Sequence, residues 1–166
     1  FRSTNRIAQA LKNIGVKKGD IVVIYLPMMP EAVATMLATA RLGAIHTVVF
    51  SGFSSEALQG RINDAQAKFV VTTTTSFRRG KTLDVKAIVD EAFTGCPSVE
   101  KVMVIARNET EEIASSDKTV VYQDIVSATA TPFVQPESMD STDPLFILYT
   151  SGTTGKPKGK IGRAHV

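Results

Sequence analysis

The residues best suited to chemistry lie near the end of the chain, in Thr150-Ser151-Gly152-Thr153-Thr154-Gly155-Lys156-Pro157-Lys158-Gly159. This stretch holds four hydroxyl residues, three glycines, two lysines and one proline. Glycines let backbone N–H groups turn inward and approach an anion closely. Hydroxyls add short donors, and lysines add positive charge. The apolar run Leu145-Phe146-Ile147-Leu148-Tyr149 comes immediately before it and reads as a buried strand. A strand that opens into such a loop is how α/β proteins hold phosphate at the carboxyl edge of a sheet.

The spacing is not that of a P-loop. A P-loop has four residues between its glycines and then Lys-Ser/Thr. Here Gly152 and Gly155 are two residues apart, and Lys156 is followed by Pro157, which forbids the helix that a P-loop opens into. By composition alone, a Gly/Ser/Thr surface linker is an equal alternative. The strand before it and the two lysines within three residues favour an anion site. A second cationic cluster, Phe77-Arg78-Arg79-Gly80-Lys81, follows a threonine run at 72–75 and precedes a helical pattern at 83–93. Three cations around a glycine beside a helix N-terminus suit a phosphate group. Taken alone, the cluster reads first as a solvated charge group on a loop.

The elements that would position these clusters follow a regular alternation. Residues 3–14 carry Ile7, Leu11 and Ile14 at helical spacing, with Ser3 or Thr4 as cap and Gly15 as stop. Residues 21–25 are a continuous apolar, largely β-branched run, expected of a strand covered on both faces. Pro30 suits the first turn of a helix over 31–42, which Gly43 ends. A strand at 45–50, a Ser54-capped helix at 55–66, a strand at 69–71, the helix at 83–93 and a strand at 99–105 complete the series. Residues 107–118 read as an exposed loop, 120–128 as a short strand and helical turn, and 131–144 as an extended connector. This order predicts an α/β fold: a mostly parallel sheet with helices on both faces.

Composition agrees. The chain has 166 residues, 43% hydrophobic and 21% charged, which is ordinary for a globular domain. Its 19 basic and 16 acidic residues are interspersed, so no nucleic-acid footprint stands out and no nucleic-acid partner is expected. No apolar run approaches the ~18 residues of a membrane span, so no membrane partner is expected either. A lone cysteine, Cys96, excludes an internal disulfide framework and points to a reducing, cytoplasmic setting. His46 starts a strand without a second ligand at metal spacing and reads as structural, and Cys96 in its turn reads as non-catalytic. Met28, Met29 and Met36 read as packing, and Glu111, Glu112 and Asp117 as solvated loop.

The segment 149–159 resembles the signature loop of the adenylate-forming enzymes. Gly15-Val16-Lys17-Lys18-Gly19-Asp20, Tyr25-Leu26-Pro27-Met28-Met29-Pro30-Glu31, the run from Ala44 to Ser54, Arg61-Ile62-Asn63-Asp64-Ala65 and the run from Asp143 to Tyr149 are similar to the AMP-forming acetyl-CoA synthetase branch. The resemblance spans 3–159 and implies part of the N-terminal domain of such an enzyme. The family joins a short carboxylate such as acetate to coenzyme A through an acyl-adenylate, with ATP and Mg2+, releasing AMP and pyrophosphate. By the resemblance, Thr150, Ser151, Gly152, Thr153, Thr154, Gly155 and Lys156 would wrap the ATP β- and γ-phosphates. Arg78, Arg79, Gly80 and Lys81 would contact coenzyme A, the arginines at its 3′-phosphate, with Phe50, Gly52 and Phe53 near its adenine. Ser51 stands where the family more often has a second glycine. No Mg2+ ligand, and no catalytic residue, is expected within these residues. A non-catalytic ATP- or CoA-binding module is the alternative reading.

After Gly159 the chain departs from the family pattern. Lys160-Ile161-Gly162-Arg163-Ala164-His165-Val166 back-translates into what resembles a sequencing-library adaptor read in frame, so 1–159 is expected to be native and 160–166 a non-native tail. The start at Phe1 reads as cut. The carboxylate pocket, adenine-binding and Mg2+-binding residues and catalytic lysine of the family would lie in a C-terminal remainder. A sheet cut after Tyr149 is expected to leave an unpaired edge, and these residues alone are expected to be inactive.

Overall fold

Five residues, Ile21-Val22-Val23-Ile24-Tyr25, form the central strand of the molecule, and four of them are completely or nearly completely buried. The computed structural model describes residues 1–78, 80–108, 111–113, 116–128, 133–150 and 158–163. In chain order the elements are α1 (Arg2–Asn13), β1 (Ile21–Tyr25), α2 (Pro30–Arg41), β2 (Ile45–Val48), α3 (Ser55–Ala65) and β3 (Phe69–Thr73). Next come β4 (Thr75–Arg78), β5 (Lys81–Asp84), α4 (Val85–Phe93), β6 (Lys101–Ile105), β7 (Thr119–Val121), α5 (Tyr122–Ala128), β8 (Pro144–Thr150) and β9 (Lys158–Arg163). The main sheet has the order β7-β6-β3-β1-β2-β8-β9. All its pairings are parallel except β8 with β9.

The crossovers decide which helix lies on which face. The chain steps from β1 to β2 in one direction, then returns past β1 to β3 and continues to β6. Right-handed connections running in opposite directions place their helices on opposite faces. Accordingly, α1 and α2 pack together on one face, and α3 and α4 on the other. Side chains alternate to match. Val22 and Ile24 of β1, Phe69 and Val71 of β3, and Met103 and Ile105 of β6 join Ile7, Leu11 and Ala38 in one core. Val23, Tyr25, Val70, Val102 and Val104 join Leu58, Ile62, Val85 and Val89 in the other. Burial on both faces is why these strands read as unbroken apolar runs.

Several expectations are corrected. Helix α1 begins one residue earlier than expected; Phe1 is its N-cap and no side chain caps it. The strand expected over 45–50 ends at Val48. Residues 75–78 and 81–84 pair as an antiparallel β4–β5, where a loop leading into a helix was expected. Gly80 takes φ +75 at its turn, and Asp84 then caps α4 through Ala87 N–H at 2.9 Å. The strand β8 is half-buried rather than buried, with Leu148 53% exposed. Its outer edge is paired, because residues 158–163 form β9 beside it.

The connector before β8 is tied to the helical layer. The buried Asn5 accepts from Val134 N–H at 3.0 Å, and Arg41 lies over the rings of Phe133 and Phe1. Gly43 takes φ +66, which strains any L side chain, and a Cβ there would also lie 2.7 Å from Met139 Sδ of the connector, which would have to shift. No helix among the described residues is long and apolar enough to cross a membrane.

Leu58 is fully buried between α3 and the sheet. Leu58→Ala is expected to lower unfolding free energy by about 2–5 kcal/mol, the usual range for such a cavity. Urea unfolding followed by circular dichroism checks it, and a loss well below 1 kcal/mol on the same scale contradicts the packing described.

Candidate functional site

The parallel strands all end on one edge, and β1 lies between two neighbours whose connections leave toward the opposite face. Such an edge opens a crevice above the central strands. Here it is an open cleft of about 220 Å3, lined by Pro27 and Met28 after β1, Phe50 to Gly52 after β2, the hairpin residues Ser76, Phe77, Arg78 and Leu83, and Arg107 after β6.

The turn after β2 forms one wall and is held from below. Tyr25 Oη, at the end of β1, donates to Phe53 C=O at 2.6 Å and lies 3.2 Å from Ser51 C=O. Burial pushes the Tyr25 phenol up to about 12, so it stays a donor throughout the neutral range. On the opposite wall, the Arg78 guanidinium lies 6.0 Å from the centre of the exposed Phe50 ring. A Cβ on Gly52 would lie 2.7 Å from both Arg78 Nη1 and Phe50 Cε1. Glycine at 52 therefore makes the room in which the two side chains meet.

Thus Phe50, Gly52 and Arg78 come together. Phe53 does not join them; its ring turns to a neighbouring cleft, under Arg61. Gly80 and Lys81 sit at the hairpin tip, with Lys81 paired to Arg78 across the strands. Arg79 lies outside the described residues, as do Ser151, Gly152, Thr153, Thr154, Gly155 and Lys156. Thr150 ends β8 and pairs with Lys158 of β9.

Two residues of this edge escaped sequence reading. Arg107 lines the cleft, and its backbone N–H donates to Glu111 at 3.0 Å and to Thr74 Oγ1 at 3.2 Å. Glu111, expected to be solvated, accepts from the Thr74 and Thr75 hydroxyls. Partial burial pushes its carboxyl up, but the Thr74 hydroxyl and the backbone N–H groups of 107 and 108 outweigh that and hold it below the ordinary range. Met28, expected to pack, is 94% exposed at the cleft mouth. Only the threonine run at 72–75 hinted at this network.

The electrostatics suit an anion. Among the described residues, no carboxylate pairs with Arg78, Lys81 or the Arg107 guanidinium. Guanidinium groups free of a carboxylate, beside an exposed aromatic ring and a glycine wall, can hold a phosphate and a flat ring together. His46 is half-buried, which lowers its pKa, and its Nδ1 has no hydrogen-bond partner among the described residues. Cys96 is buried with its thiol pushed up by burial and directed at Ala92 C=O. No group of three His, Cys, Asp or Glu side chains converges among the described residues to hold a metal ion.

The sequence profile of the AMP-binding enzymes matches residues 1–161. The chain belongs to this family. It is similar to the acetyl-coenzyme A synthetase of Halorhodospira halophila, with 52% identity over 96% of this chain and 24% of that protein. The acetyl-coenzyme A synthetase of Methanothrix thermoacetophila is also 52% identical, over 99% of this chain and 25% of its own length. Among solved structures, acetoacetyl-CoA synthetase from Streptomyces lividans superposes with a TM-score of 0.86 at 29% identity, over 98% of this chain and 24% of that one. The chain therefore spans about a quarter of the length of the relatives it matches.

The Tyr25 hydrogen bonds carry a prediction. The folded state holds the Tyr25 proton more tightly than the unfolded chain does, so its stabilisation is full below pH 10 and is lost as pH rises from 10 toward 12. Tyr25→Phe is expected to lower stability at pH 8 by about 1–3 kcal/mol, as the partly buried Phe53 C=O loses its donor. It is also expected to lessen the fall in stability between pH 10 and 12. Urea midpoints across that range are the measurement, and an unchanged alkaline slope contradicts the assignment.

Proposed function

We propose that these residues are part of the N-terminal domain of an AMP-forming acyl-CoA synthetase that acts on acetate or a similarly short carboxylate. The observation that carries this reading is 52% identity to acetyl-coenzyme A synthetases along nearly the whole chain. In the proposed reaction a carboxylate oxygen attacks the α-phosphorus of ATP. The bond to the bridging oxygen breaks, leaving acyl-AMP and pyrophosphate. The thiol of coenzyme A then attacks the acyl carbon, AMP leaves, and the thiol proton is lost to solvent or a base.

In this reading, Thr150, Ser151, Gly152, Thr153, Thr154, Gly155 and Lys156 hold the β- and γ-phosphates. Their hydroxyls, backbone N–H groups and lysine oppose the charge that gathers on the departing pyrophosphate. Arg78, Arg79, Gly80 and Lys81 take the 3′-phosphate of coenzyme A, with Phe50 and Gly52 near its adenine. The meeting of Phe50, Gly52 and Arg78 in one cation-rimmed cleft supports that part. Mg2+, when bound with ATP, supplies charge neutralisation on the phosphates; the described residues offer no cluster of ligands for it. The remaining parts of the active centre belong to a C-terminal remainder, and a cytoplasmic location fits the lone reduced cysteine.

The test uses the full-length chain. Acetate- and CoA-dependent formation of AMP from ATP is expected, and Lys156→Ala is expected to depress it through the ATP half-reaction. Arg78→Ala is expected to raise KM for coenzyme A by about tenfold, the loss of one charge-assisted phosphate contact. KM for 3′-dephospho-CoA should stay near its wild-type value in that variant. Absence of AMP formation with every short carboxylate overturns the reading. An equal effect on both thiols removes the 3′-phosphate from Arg78.

A further inference from the structure

Arg107 leaves β6 at the edge where the cleft opens, and its backbone is firmly held there. Its N–H donates to Glu111 at 3.0 Å and to Thr74 Oγ1 at 3.2 Å. One residue earlier, the Gln123 side-chain amide of α5 accepts from Ala106 N–H and donates to Ala106 C=O, both at 3.2 Å. Glu111 also accepts from the Thr74 and Thr75 hydroxyls and, at 3.4 Å, from the Asn108 amide. The exit from β6 is therefore tied to α5 on one side and to the threonines between β3 and β4 on the other.

The side chain of Arg107 is left much freer of partners than its backbone. The Glu111 carboxylate, only four residues away, is taken up by hydroxyls and backbone N–H groups. No carboxylate among the described residues pairs with the guanidinium. Its Nη1 instead lies 3.8 Å from Met29 Sδ, a weak acceptor that uses one of the five N–H donors. Arg78 has different surroundings. Its guanidinium lies 6.0 Å from the Phe50 ring centre, and a Cβ on Gly52 would lie 2.7 Å from its Nη1. Both arginines line the same cleft. The cleft therefore carries two cations in two separate settings, one beside an exposed aromatic ring and one beside a thioether.

A ligand that matches this pattern has a flat ring and two separate anionic groups. Coenzyme A is such a molecule: its ribose carries adenine, a 3′-phosphate and a 5′-diphosphate. We infer that Arg107 is a second anion-binding residue of the cleft and takes the 5′-diphosphate of coenzyme A, while Arg78 takes the 3′-phosphate. This rests on the acyl-adenylate reading above. Two guanidinium groups on the 3′-phosphate would leave the diphosphate, the larger charge, without a partner in the cleft. A planar guanidinium can meet two phosphate oxygens at once. Because the Arg107 backbone is already fixed by Glu111, Thr74 and Gln123, less ordering remains to be done when the ligand arrives.

The experiment measures thioester formation by the full-length chain with coenzyme A and with 3′-dephospho-CoA, alongside ATP–pyrophosphate exchange and thermal melting of each variant. Arg107→Gln is expected to raise KM about tenfold for both thiols, the loss of one charge-assisted phosphate contact. Because the two arginines act on separate phosphates, the effects of Arg107→Gln and Arg78→Ala on KM for coenzyme A should multiply. Arg107→Lys keeps the charge without the planar fork and is expected to raise KM for both thiols only about threefold. KM for ATP in the exchange reaction should not move, because no thiol takes part in it. A rise confined to coenzyme A and absent with 3′-dephospho-CoA moves Arg107 to the 3′-phosphate and overturns the assignment. Arg107→Lys as poor as Arg107→Gln removes charge as the cause and also overturns it. A lowered melting temperature with every KM raised together, ATP included, makes the residue structural and overturns it as well. An active wild type whose Arg107 variants keep the wild-type KM for coenzyme A overturns this inference alone. A wild type without thioester formation overturns the acyl-adenylate reading, and this inference with it.

Discussion

Right-handed crossovers leave α2 and α3 on opposite faces of β1, and the site depends on that constraint. The connection after β1 leaves toward one face, while those after β2 and β3 leave toward the other. The edge above β1 is therefore not roofed by a helix. A cleft opens there, and its walls come from segments far apart in sequence: residues 27–28, 50–52, 76–78, 83 and 107. Backbone groups at this edge cannot pair with further strands. They are satisfied instead by side chains, as when Thr72 and Thr73 donate their hydroxyls to Tyr25 C=O and Ile105 C=O.

Two tyrosines hold the architecture to the chemistry. Tyr25 reaches from the buried strand to the carbonyls of 51 and 53 and sets the turn that supplies Phe50 and Gly52. Tyr149 reaches from the end of β8 to Asp64 of α3, and its strand pairs with β9. Both phenols are held protonated, chiefly by burial, so both act as fixed donors rather than as acids. Arg61, against Phe53 and Tyr149, lies between the two arrangements. The cations at the mouth, by contrast, are left without carboxylate partners among the described residues, as an anion-binding edge requires.

Where sequence reading failed, the failures have physical causes. The cluster at 77–81 was expected to sit on a loop beside a helix N-terminus because its cations hide a strand pattern. Pairing of Thr75 with Asp84 and of Arg78 with Lys81 makes it a hairpin, with Gly80 turning at positive φ. That hairpin carries Arg78 across to Phe50, which helix capping alone would not have done. Phe53 was grouped with Phe50 by the family resemblance. The turn between them, closed by Phe53 N–H to Phe50 C=O, points the two rings into different clefts. Glu111 reads as solvated because its partners, Thr74 and Thr75, are nearly forty residues away.

The amino-acid sequence by itself determined the alternation of strands and helices, the two-faced burial of the central strands and the hydroxyl-, glycine- and lysine-rich motif after β8. These are local properties: periodicity, turn chemistry and residue type are all written within a dozen neighbouring positions. Tertiary structure alone decided which distant residues share a wall. Only the sheet order brings Arg107 beside Met28, and only the packing of α3 against β8 places Arg61 and Asp64 on Tyr149. Such contacts depend on crossover direction and strand register. Neither leaves a mark on any short stretch of sequence, because the residues involved meet only after the chain has folded.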